Sequence, residues 1–142
     1  AGNISAATAG TDYLAASAIG TTVQAYDADT LKADTADTLT AAFRGTVTTD
    51  NDLSFDMNAT NNFKCTPTGS GTLTFTNITS GQSGNIWLDN SGGHVISAAA
   101  TTYISAADLT AISTAGKYYL SYYSDGTNVM VSASAAVTSA GA

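Results

Sequence analysis

"KYYLSYYSDGTNVMVSASA" (residues 117–135) holds four of the chain's seven tyrosines within six positions, just before an Asp-Gly pair. Asp-Gly is a preferred pair for a two-residue type I′ hairpin turn. Closing the chain at Asp125-Gly126 sets Ser124 opposite Thr127, Tyr122 opposite Val129, Leu120 opposite Val131 and Tyr118 opposite Ala133. Beyond the Ser124–Thr127 pair that face is consistently apolar. The other face carries Tyr119, Ser121 and Tyr123 against Ser132, Met130 and Asn128. A one-residue slip would mix the two faces, so turn and pattern agree. Two tyrosines are expected in the core, with Tyr119 and Tyr123 on a second face suited to a subunit or ligand contact, because tyrosine is apolar in body and polar at its tip.

Working back from this hairpin, the same alternation recurs. "LSFDMN" sets Leu53, Phe55 and Met57 against Ser54, Asp56 and Asn58, and "TLTFTN" sets Leu73 and Phe75 against threonines. "GNIWLDN" places Ile86 and Leu88 on one face and Trp87 on the other. A period of two is the mark of a strand with one wet face. Gly-rich runs at 67–71, 79–84 and 90–93 separate the strands. The expected fold is all-β: an antiparallel β-sandwich, jelly-roll-like, over residues 44–142. A short helical turn is expected between Ser105 and Gly116, capped by Ser105, with Leu109 and Ile112 inward.

Residues 1–43 differ in texture. They are rich in Ala, Thr and Asp, with Tyr13, Leu14, Tyr26 and Leu31 standing far apart. Leu31, Leu39 and Phe43 could line a short helix from about Thr30, giving an extended, partly helical N-terminal arm. So few hydrophobes cannot offset the entropy of folding alone. The arm is therefore expected to be an assembly segment lying on another subunit or on the domain that follows.

Composition narrows the function. The net charge is −7; all eleven acidic residues are Asp, opposed by three Lys and one Arg. So few cations argue against nucleic acid and against an anionic membrane, and no apolar run approaches the length of a membrane span. More than half the residues are Ala, Thr, Ser or Gly, so the core must be thin. Cys65 is the only cysteine, which excludes an intrachain disulfide and fits assembly in a reducing cytoplasm.

No motif points to catalysis, and no cofactor is expected. His94 is the only histidine and reads as a structural polar residue at a strand start rather than a triad member. Cys65 has no signature of an activated thiol. "DNDLSFD" (50–56) and "DADTLKAD" (27–34) superficially resemble calcium loops, but the sixth position is Phe55 in one and Lys32 in the other, where the EF-hand needs Gly. Solvated turn and cap roles are expected, with no metal site. Trp87, on a polar strand face, is the sharp candidate: a subunit interface, a glycan-stacking platform, or a surface covered by the arm.

"IGTTVQAYDADTL" (19–31) resembles a segment common in tail-fibre-like proteins of tailed bacteriophages. "NNF" (61–63), "GTLTF" (71–75), "NITSGQSGNIWL" (77–88) and "GKYYLSYYSDGTNVMVSAS" (116–134) resemble the small β-domain of the same proteins. The resemblance implies a non-enzymatic structural protein of the virion surface, assembled in the host cytoplasm. It also implies a homotrimer whose partners are itself, other virion proteins and a host cell-surface glycan. If Ala1 follows a removed initiator Met, the chain is the whole protein, without the attachment domain and slender shaft of a tail fibre. A capsid decoration (cement) or head-fibre subunit, its arm laced into neighbours, therefore stays open, as does a subunit of an extracellular protein filament.

Overall fold

The computed structural model describes residue 42 and residues 44–139. The helix expected from Thr30 to Phe43 and the assembly residues Tyr13, Leu14, Tyr26 and Leu31 lie outside the described residues.

Six strands wind as coils. They are β1 (Val47–Thr49), β2 (Ser54–Asp56), β3 (Asn62–Cys65), β4 (Gly71–Thr76), β5 (Ser83–Asn90) and β6 (Ile96–Ala98). Odd strands stack in parallel in one sheet, and even strands stack in parallel in the facing sheet. Next come β7 (Thr102–Ile104), helix α1 (Ala106–Ile112), β8 (Gly116–Ser124) and β9 (Val129–Ala133). β8 pairs antiparallel with β5 and β9 with β8, while β7 runs parallel to β9. The result is a six-stranded sheet in the order β1-β3-β5-β8-β9-β7 over a three-stranded one, β2-β4-β6.

The architecture is therefore all-β, but a short β-solenoid with an antiparallel end rather than the expected antiparallel jelly-roll sandwich. The physical reason lies in the links. Each Gly-rich run turns a corner and delivers the next strand to the opposite sheet, where a hairpin would have laid it alongside. In-out alternation is identical for parallel and antiparallel neighbours, so the pattern could not distinguish them. Nor do the coils keep a constant length, so no sequence repeat announces them: Thr48 to Phe63 is a much shorter step than Phe63 to Ile86.

Polar side chains at the corners lock each coil to the next. Asn51 Oδ1 accepts from Thr66 N–H at 2.8 Å, and Ser70 Oγ accepts from Val95 N–H at 3.0 Å. At the opposite corner Gln82 Nε2 donates to Met57 O and to Asn61 Oδ1, both at 2.7 Å. Asn77, bent to φ 53°, donates to Asp56 Oδ1 at 2.8 Å. The Thr, Asn and Ser abundance thus supplies backbone partners that a turn would otherwise have to find in water.

Between the sheets sit Phe55, Phe63, Phe75 and Tyr122, one ring from each of four strands. Their centroids are 5.0 Å (Phe55–Phe63), 5.7 Å (Phe55–Phe75), 5.2 Å (Phe75–Tyr122) and 6.4 Å (Phe63–Tyr122) apart. These tilted contacts lie in the range aromatic pairs prefer. The core is thin but aromatic.

The exposed edge of β6 is closed by α1. Ser105 Oγ caps the helix by accepting from Asp108 N–H at 3.0 Å, as the sequence predicts, and Ile112 is buried. At the other end of the helix Ser113 Oγ accepts from Ile96 N–H (3.0 Å) and donates to Ile96 O (3.1 Å). One hydroxyl thereby satisfies both backbone groups of an edge residue. Beyond β1 and β2 no further strand lies among the described residues.

The C-terminal hairpin turns one residue later than expected. Its tip is Gly126-Thr127, closed by Asp125 N–H to Asn128 O at 3.1 Å. Positive φ occurs at Gly126 (96°) and not at Thr127, which is the demand of a type II′ turn rather than I′. The Asp125 carboxylate holds this geometry by accepting from Thr127 N–H (2.8 Å) and Asn128 N–H (2.7 Å). Pairing becomes Tyr122↔Val131 and Leu120↔Ala133. Moving a turn by one residue shifts the pairing by two, so both faces keep the side chains assigned to them.

Candidate interaction surface

The outward face of the six-stranded sheet is built by the side chains that alternation excludes from the core. Trp87 and Tyr119 are cross-strand partners, and Lys64 is the partner of Trp87 on its other side. Trp87 is 43% exposed and Tyr119 46%. Asn62 and Asn85, themselves partners, lie two residues before Lys64 and Trp87 on the same face. Together with Val47 these residues line a shallow depression of about 480 Å³. On its far side Trp87 borders a second depression of about 750 Å³, with Lys117, Val137 and Thr138. Lys117 is paired with Asp89 at 3.0 Å.

Tyr123 is four residues further along β8, about 14 Å from Tyr119 at the strand's rise per residue. It therefore belongs to a different patch. Its partner on β9 is Met130, whose partner on β7 is Tyr103. The three side chains form a continuous outward row, each more than half exposed. The sequence marks Trp87, Tyr119 and Tyr123 alike as outward contact residues. The structure joins the first two and sets the third with Met130 and Tyr103. Tyr103 could not be found from the sequence, because β7 reaches the sheet edge only by pairing in parallel with β9.

The acidic groups serve the turns. Asp52 Oδ1 accepts from Ser54 N–H and Asp56 Oδ1 from Asn58 N–H, at 2.8 and 2.9 Å. The Asn77 amide and then the Asn58 N–H hold the Asp56 carboxyl below its ordinary value. Hydrogen bonds from Ser91 and then Lys117 do the same for Asp89, as do those from Asn128 and Thr127 for Asp125. Asp50 moves the other way, raised by burial and then by sharing with Asp52. Among the described residues no three His, Cys, Asp or Glu side chains gather as a metal site would require. The 27–34 Asp group lies outside the described residues.

His94 serves the β5–β6 corner through its backbone: its N–H donates to Asn90 Oδ1 (2.9 Å) and its carbonyl accepts from Asn90 Nδ2 (2.8 Å). Burial pushes the Cys65 thiol up to about 11 and the Tyr122 phenol up to about 12. Neither group is an activated nucleophile at neutral pH. No described helix is long and apolar enough to cross a membrane.

Fold and surface together define a short β-solenoid that presents an aromatic sheet face. No family model, curated protein or solved structure matches the chain.

Proposed function

We propose that this chain is a structural subunit of a bacteriophage virion surface, tail-fibre-like, which acts by self-assembly as a homotrimer and not by catalysis. The observation that carries the reading is the outward row Tyr103–Met130–Tyr123. A contiguous row of exposed tyrosine and methionine side chains suits a contact between copies. Beside it Tyr103, Ile104, Asp108, Met130 and Ser132 line a depression of about 470 Å³, a seat for a neighbour's side chain. A thin core gains stability when copies bury such surface together.

A second reading, capsid decoration, draws support from the outer edge of β1, which pairs with no further strand among the described residues. An open edge can accept an extended segment of a neighbouring subunit.

The test is the mass and symmetry of the purified protein. A trimer that the double variant Tyr103→Ser/Met130→Ser converts to folded monomer supports the fibre reading. Binding to empty capsids at fixed stoichiometry, lost without residues 1–43, supports decoration. A stable monomer that binds no capsid removes both.

A further inference from the structure

We propose that the Trp87 half of the sheet face is a binding site for an acidic saccharide, a glycan bearing carboxylate or sulfate groups. The site is separate from the Tyr103–Met130–Tyr123 row, so the inference stands whether or not the chain assembles.

Three features converge. First, Trp87 and Tyr119 sit side by side on adjacent strands, each close to half exposed. Their faces offer electron-rich surface to the positively polarised C–H groups of a pyranose ring. Second, polar side chains surround the rings without partners. Asn62 and Asn85 stand one strand spacing apart, about 4.8 Å, and each side-chain amide has both donors and an acceptor. Among the described residues, neither amide, nor Lys64 Nζ, Trp87 Nε1–H or Tyr119 Oη, makes a hydrogen bond or ion pair. A dry protein contact would strand these groups, at a cost for each one left unsatisfied. A sugar supplies a hydroxyl at nearly every carbon and can answer all of them while its apolar face covers the rings.

Third, the local charge is opposite to that of the chain. The protein carries −7 overall. Yet the charged strand residues around Trp87 are Lys64, Lys117 and Asp89, and the last two neutralise each other at 3.0 Å. Lys64 is left as an unpaired cation directly beside the indole. One cation is too little for a nucleic-acid backbone but suits one acidic sugar residue.

Trp87 is the chain's only tryptophan, so its fluorescence reports this site alone. The full chain is titrated with oligogalacturonate, chondroitin sulfate fragments and sialyllactose, with maltohexaose as the neutral control. At least one acidic member should give a saturable change that weakens with salt. Lys64→Gln should bind that member about tenfold or more weakly, as expected for loss of a charge-assisted contact. Asn85→Ala should weaken it without altering the salt dependence. Circular dichroism confirms that both variants fold. The proposal is overturned if no acidic member saturates at millimolar concentration, if maltohexaose binds equally well, or if Lys64→Gln binds like the parent.

Discussion

Asn90 is the side chain whose removal tests the solenoid's closure most directly. It is fully buried and joins three backbone groups from two places in the chain. Nδ2 donates to His94 O and to Ile112 O, both at 2.8 Å, and Oδ1 accepts from His94 N–H at 2.9 Å. It therefore holds the β5–β6 corner and ties that corner to the last turn of α1. Asn90→Ala leaves one N–H and two carbonyls without this partner. At about 1–3 kcal/mol for each buried unsatisfied group, and with water able to reach part of the gap, the cost is about 3–5 kcal/mol. For a unit of this size 1 kcal/mol moves Tm by about 4–8 °C, so the midpoint should fall by about 12 °C or more.

Asn90→Asp is the sharper variant. It keeps the acceptor for His94 N–H but turns a carboxylate oxygen toward two carbonyls. Burial and those carbonyls raise its folded-state pKa above the unfolded value, so the folded state holds the proton more tightly. Its stability must then rise as pH is lowered from neutral toward the unfolded carboxylate value. Urea unfolding followed by circular dichroism at several pH values measures both variants. A loss under about 1 kcal/mol for Asn90→Ala, or an Asn90→Asp stability that does not improve on acidification, would refute the account of this corner.

Gly84→Ala should be severely destabilising, because a Cβ there would lie 1.8 Å from Asn61 O and 2.5 Å from the Tyr122 hydroxyl. Asn61 O receives both Asn85 N–H and Tyr122 Oη–H, so relief must separate adjacent coils; a midpoint within error of the parent would count against the observed packing. Phe55→Ala removes a fully buried ring that touches two others and should cost about 3–5 kcal/mol in denaturant unfolding. The parent should lose stability below about pH 4. Asp56, Asp89 and Asp125 titrate below 3.8 when folded, so their contribution is present above that value and fades as pH falls through the folded ones. Added salt should shrink this effect, since all three are exposed. On the alkaline side Cys65 contributes stability below its ordinary 9.0 that is lost as pH rises toward about 11. A thiol reagent at pH 8 should react with Cys65 only on unfolding, as absorbance would show.

Local physics made much of this protein legible. Alternation in 53–57, 72–76, 85–89 and 117–133 assigned which side chains enter the core and which face outward, because the period of two depends on the strand alone. Ser105 as a helix cap was equally readable, since the cap bonds within one turn. Even the displaced hairpin tip left the faces intact. What no local pattern contains is the identity of the neighbouring strand. Whether the Gly-rich links at 67–71 and 79–84 fold back as hairpins or turn corners depends on distant partners. Asn51 must find Thr66, Gln82 must find Met57 and Asn61, and the hydroxyl of Ser113 must reach both backbone groups of Ile96. Those contacts join residues far apart in sequence, so only the folded chain could decide for a solenoid over a sandwich. The same reason governs the surface. Trp87 was visibly an outward residue in its own strand, but parallel pairing with β3 brought Lys64, Asn62 and Asn85 to its side, and the pairing of β7 with β9 brought Tyr103 to Met130.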